Sequence, residues 1–134
     1  MPLRPPRWHL YFGQLLEAVP AADGRAFELK ILKYAYRVHK AEDVSKEALV
    51  RFEYVSEDAD RTFDHCRHHV QFHRDYHRTR SDFSPAKLHI PTGTITIEEV
   101  IRFLILDLGV TSLTKNWQPM LAASEARFAD WTRI

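Results

Sequence analysis

The sequence predicts an α+β protein: an antiparallel sheet of three to five strands with two C-terminal helices packed on one face. Three observations carry this reading. Apolar and polar residues alternate over 26–38, 48–55 and 68–76, the period of a half-buried strand. An apolar stripe of helical period follows over 97–108. Strands come first and helices last, the order of a sheet covered on one face by helices.

Residues 8–19 (WHLYFGQLLEAV) are apolar with mixed periodicity and fit either a strand or a helix, and 20–24 (PAADG) signal a turn. In 26–38 the alternation changes phase: Phe27, Leu29 and Ile31 share one face, then Leu32, Tyr34, Tyr36 and Val38 share one. A bulge near Ile31 and Leu32 explains the slip, with a helix through the same residues as the competitor. Residues 41–46 form a polar connector. Residues 48–55 form a strand with Val50, Phe52 and Tyr54 opposite Arg51 and Glu53, and 56–61 (SEDADR) a charged loop. Residues 88–93 end in a turn. Thr96 and Glu99 fit a capping box, Ile97, Val100, Ile101, Leu104, Ile105 and Leu108 form one stripe, and Gly109 suits the stop. Residues 116–133 read as a second helix, with Pro119 in its first turn and Leu121, Phe128 and Trp131, after Trp117, on a buried face. Sheet and helix then share one core containing Phe52, Val70, Phe72, Ile101, Leu104 and Leu108. Tyr34 and Tyr36 read as core aromatics, with stacking on bases as the alternative.

The 134 residues fit a single domain spanning 1–134. Hydrophobic residues at 45% and charged residues at 28% exclude a disordered chain and a fibrous rod. A net charge of +1 gives no whole-molecule attraction to nucleic acid or membrane. Protonating all eight histidines would raise that charge to about +9, so the field depends on pH. The lone cysteine, Cys66, forms no internal disulfide and reads as a small core residue, with a nucleophile between His65 and Arg67 as the lesser alternative. The first eight residues carry no signal-peptide pattern, and 100–110 is far too short to span a membrane. A soluble cytoplasmic protein is therefore expected.

Function rests on one segment, 65–77 (HCRHHVQFHRDYH). On a helix, His65, His69, His73 and His77 would form one row able to share a metal. On a strand, Val70, Phe72 and Tyr76 face one way with His68, while His69, Gln71, His73, Asp75 and His77 face the other. The strand has a face that a sheet can bury and the helix has no stripe, so the strand is preferred, with His69 and His73 exposed. A strand separates these imidazoles too widely for a simple metal site, and no metal or cofactor is assigned.

The same face suits acid/base chemistry. Phosphodiester cleavage needs a proton acceptor, a proton donor and cations on the phosphate. His69 and His73 are the candidate catalytic pair. Residues 61–80 hold five arginines against Asp64 and Asp75, and Arg67, Arg74, Arg78 and Arg80 are the candidate phosphate ligands. Arg51 and Glu53 are expected to pair across to the histidine face and, with Gln71 and His89, complete the candidate binding residues. A solvated strand face without catalytic function is the plain alternative.

The stretches HHVQFH (68–73) and KLHIPTGTITIEEVIRFLILDLGV (87–110) resemble a group of uncharacterised small bacterial proteins with a histidine-alternating strand, a PTG-type turn and a helix. Gln71 departs from the alternating-histidine pattern. More distantly, RFEY (51–54), the charged loop and the histidine strand resemble the TumE-type toxins of toxin–antitoxin pairs. That resemblance implies a compact antiparallel sheet with flanking helices, a neutralising antitoxin partner and an RNA-directed activity. The expected function is a toxin-like protein that binds or cleaves RNA without metal. The competing readings are a non-catalytic protein-binding module or partner subunit, and, third, a metal-dependent hydrolase or sensor. No membrane partner is implied, and a homo-oligomer is compatible with each reading.

Overall fold

The computed structural model describes residues 7–40, 48–62, 67–72 and 90–133. Four strands form an antiparallel sheet in sequence order: β1 (His9–Val19), β2 (Glu28–His39), β3 (Val50–Val55) and β4 (His68–Phe72). A two-residue strand, β5 (Ile90–Pro91), extends the β4 side. Helices α1 (Ile97–Leu106) and α2 (Trp117–Trp131) follow, and the terminal β6 (Thr132–Arg133) runs parallel to the start of β2. The helices are C-terminal to the four main strands, and the fold is α+β.

The long β1–β2 hairpin is where local chemistry is most visible. Gly24 turns the chain at φ +89°, a conformation that side chains disfavour, and the Asp23 carboxylate braces the turn by pairing with Arg25. Leu15 faces Lys33 while Leu16 faces Ile31, which leaves Leu32 as one extra residue on β2. That bulge is the phase slip seen in the sequence. Ile31 and Tyr34, three residues apart, can thus both be buried on one face.

One face of the sheet meets α1. Ile31, Tyr34, Tyr36, Val38, Val50 and Val70 are buried with Val100 and Leu104 of the helix. The rings of Tyr34 and Tyr36 stack at 4.9 Å between centroids, and Phe52 meets Phe103 edge-on at 6.0 Å. These tyrosines are core. Residues 100 and 104 lie one turn apart on the same side of α1, so a single stripe covers the sheet. The Thr96 side chain accepts the Glu99 N–H and Glu99 accepts the Thr96 N–H, closing a capping box that fixes where α1 begins.

Three expectations need correction. The first helix ends at Leu106, with Asp107 as its cap, and Gly109 at φ +70° then turns the chain away. Ile101 and Leu108 flank the core rather than fill it: both are half-buried. The second helix is peripheral, with none of its residues fully buried. Trp131 is exposed on that helix, where it contacts Phe27 and lies under the Arg25 guanidinium. Trp117, Leu121 and Phe128 are the half-buried side of the helix, with Phe128 packed against the core, and polar contacts from Arg102 to Glu125 and from the Ser124 hydroxyl to Glu98 add to them.

Candidate functional site on the polar face

The opposite face of the sheet is polar, because the residues between those that meet α1 are mostly charged. Register aligns them into rows: Arg37 beside Arg51 beside Gln71, and Ala35 beside Glu53 beside His69. β1 adds Tyr11 opposite Arg37, Gly13 opposite Ala35 and Leu15 opposite Lys33. Four of the residues read from the sequence, Arg51, Glu53, His69 and Gln71, are thus brought to one face.

Arg51 donates to the Gln71 side-chain oxygen at 2.5 Å. His69 Nε2 lies 3.5 Å from one carboxylate oxygen of Glu53, and Arg37 Nη2 lies 3.5 Å from the other. Glu53 therefore sits between an imidazole and a guanidinium. Arg67 directs its guanidinium to the carbonyls of Val55 and Asp60 at 3.4 and 2.8 Å, tying β4 to the loop after β3.

His69 is the correction here. It was expected on an exposed strand face but is only 2% exposed. β4 is an inner strand, with Glu53 of β3 on one side of His69 and Pro91 of β5 on the other. An inner strand shades its side chains from both flanks, which alternation along a single strand cannot reveal. Gln71 is buried as well, beside Arg51 of β3, which donates to its side chain. His73, Arg74, Arg78, Arg80 and His89 lie outside the described residues, as does Cys66.

The sequence reading also passed over Lys33 and Arg37. These two cations lie on β2, far in the chain from the arginines of 61–80, and the sheet brings them to the same face as Glu53. The β1–β2–β3 part of this face is concave. A depression of about 430 Å³ is lined by Leu15, Lys33, Ala35, Arg37, Glu53 and Val55, with Asp60 at its rim. A smaller one of about 210 Å³ adjoins it over Tyr11 and Gly13. The floor is low because Gly13 and Ala35, the smallest side chains on these strands, face each other. A Cβ at position 13 would lie 3.4 Å from the Tyr11 hydroxyl, and the Arg37 guanidinium lies 5.5 Å above the Tyr11 ring. Arg37 Nε is buried without a hydrogen-bond partner among the described residues.

His68, on the other face, does something different. Its ring stacks on Tyr54 at 4.0 Å, and its Nδ1 shares a hydrogen bond of 3.0 Å with the Tyr34 hydroxyl, whose oxygen also accepts the Ile95 N–H. Burial pushes the Tyr34 hydroxyl up to about 12 and holds the His68 imidazole below its ordinary value. This histidine is half-buried against the apolar face.

Among the described residues no group of three histidine, cysteine or acidic side chains is placed to hold a metal ion. No helix among them is long and apolar enough to cross a membrane. No protein-family model, no curated protein and no solved structure matches the chain.

Proposed function

We propose that the polar face binds the phosphate backbone of single-stranded RNA and that the protein is a toxin-like, metal-independent ribonuclease. The observation that carries the reading is the 430 Å³ depression in which Lys33 and Arg37 flank Glu53. Two cations beside a carboxylate match the demands of cleavage by the 2′-hydroxyl: the cations hold the phosphate, and the carboxylate takes the proton of the attacking oxygen. The Arg37 side chain is partly exposed in the depression, which leaves its guanidinium able to meet a phosphate oxygen there. His69 lies behind Glu53 and is a positioning residue, holding the carboxylate from the side away from Arg37. The 2′-oxygen attacks phosphorus, the 5′-oxygen leaves, and a second group must protonate it. His73 is the candidate for that role in the sequence. A neutralising protein partner accompanies this reading.

The test is fluorescence anisotropy with a mixed-sequence single-stranded RNA in EDTA, across a salt series, with mass spectrometry of the products. Binding is expected to weaken with salt, and the slope to fall by roughly 0.7 for each cation removed in Lys33→Ala and Arg37→Ala. Cleavage is expected to leave 2′,3′-cyclic phosphate ends and to stop in Glu53→Gln while binding persists. Absence of binding by the parent at low salt overturns the reading. Binding without cleavage removes the nuclease and leaves an RNA-binding protein.

A further inference from the structure

β1 is an edge strand of eleven residues, and among the described residues only β2 pairs with it. Natural edge strands are protected from adding another strand by lysine, proline, a bulge or short length. β1 has none of these. Its sequence HLYFGQLLEAV contains no Lys, Arg or Pro, and the bulge of the hairpin lies on β2. Three large apolar side chains on it stand in solvent: Tyr11 at 48% exposure, Phe12 at 62% and Leu15 at 52%. Tyr11 and Leu15 lie on the polar face and Phe12 on the other, so the exposed apolar surface follows the edge rather than either face.

The sequence of β1 is complementary to itself in reverse. Two antiparallel copies related by a twofold axis perpendicular to the sheet keep their faces aligned when the axis passes through a residue position. With the axis at Gly13, Tyr11 stands opposite Leu15 of the second copy, Leu10 opposite Leu16 and Phe12 opposite Gln14. His9 stands opposite Glu17, an imidazole beside a carboxylate. The small Gly13 meets itself at the axis, where bulk would be most crowded. Moving the axis to Gln14 sets Glu17 against Tyr11 and His9 against Val19. Moving it to Leu15 sets Glu17 against Gly13. Of these three registers only the one at Gly13 sets the one acidic residue of β1 against an imidazole and also places each exposed apolar residue of the polar face against another.

We infer that β1 pairs with β1 of a second copy of this chain in the antiparallel register centred on Gly13, making one continuous sheet across a symmetric dimer. The pairing satisfies the outward backbone N–H and C=O groups of both edges and covers Tyr11 and Leu15. It also sets the two polar depressions side by side, since the smaller one is walled by Tyr11 and Leu15 of β1. The pairing holds whatever the polar face binds.

Sedimentation velocity over a concentration series, without RNA, tests it. The parent is expected to sediment as a dimer. Leu15→Glu is expected to sediment as a monomer, because the carboxylate replaces an apolar partner of Tyr11 twice in each dimer. Phe12→Lys, at the most exposed of the three side chains, is a second variant with the same expected loss, and circular dichroism checks that both fold. Tyr11→Lys combined with Leu15→Glu in one chain is expected to restore the dimer, since the new opposite charges face each other only in the Gly13 register. A parent that stays monomeric at every concentration overturns the inference, including the case in which the edge serves a different protein. A parent dimer that survives both single substitutions overturns it as well. A double variant that stays monomeric overturns the register.

Discussion

Tyr34 and Ala35 are neighbours in the chain on opposite faces of β2, and their surroundings differ in kind. Tyr34 is packed between Tyr36 and Tyr54, with its hydroxyl between Ile95 and His68. Ala35 lies at the floor of an open depression between Lys33 and Arg37. The first face gains free energy from burial and from closed hydrogen bonds. The second leaves small side chains under charged ones, so it adds little to stability and keeps room for a ligand. Packing and open polar surface are thus divided across the thickness of one sheet, and a substitution should disturb one with little effect on the other.

The contrast can be broken most severely at Leu104, where α1 meets the apolar face. Leu104→Ala is expected to cost about 2–5 kcal/mol in chemical unfolding, because the buried side chain leaves a cavity. A change below half a kcal/mol would remove Leu104 from the core. Next is Tyr34→Phe, which deprives the Ile95 N–H and the His68 ring of their partner and is expected to cost about 1–3 kcal/mol. RNA binding measured by anisotropy should be unchanged in that variant.

The apolar face should also govern how stability follows pH. The His68 imidazole is held below its ordinary value of 6.5, so its contribution is present above that pH and is lost as pH falls below it, when the unfolded chain takes up the proton more readily. Tyr34 works in the other direction. Its value is raised from 10.0 to about 12, so its contribution is intact below pH 10 and is lost as pH rises toward 12. Urea midpoints measured across both windows test the two signs, and Tyr34→Phe should reduce the alkaline loss, the remainder coming from Tyr36, whose hydroxyl burial also pushes up.

The smallest expected stability effect is on the polar face. Arg37→Ala and Lys33→Ala should each shift unfolding by no more than about 0.5 kcal/mol, the usual range for surface positions. A loss of several kcal/mol at Arg37 would show that its contact with Glu53 supports the fold, and the division between the faces would fail.

The sequence made the two faces legible wherever a strand is flanked symmetrically. Arg51 and Glu53 alternate with Val50, Phe52 and Tyr54, and Gln71 and His69 alternate with Val70 and Phe72, so the face of each was readable, while their pairing is set by the register of the two strands. It was less informative at the margins of the sheet. β1 carries Tyr11 and Leu15 on one face and Leu10, Phe12 and Leu16 on the other, because an edge strand need not keep apolar side chains to one side, and its pattern resembled a helix as much as a strand. In α2 the apolar pattern marked Trp117, Leu121 and Phe128, which are half-buried with Phe128 on the core, but it misplaced Trp131, which is exposed at the end of the helix. The burial of His69 and the arrival of Lys33 and Arg37 beside Glu53 depend on which strands are neighbours, and sequence period carries no information about that.

The bulge at Leu32 has a consequence for how this molecule can change. Because Leu32 is a supernumerary residue, excising it would leave every other residue of β2 on its present face, and the core would not notice the cut. Its carbonyl, however, accepts the Ser56 N–H at 2.8 Å, and Ser56 begins the loop that carries Ala59 and Asp60 to the rim of the depression. A one-residue edit in the middle of a strand would therefore spare the architecture and release the rim, an adjustment screw for the shape of the depression set apart from the packing beneath it.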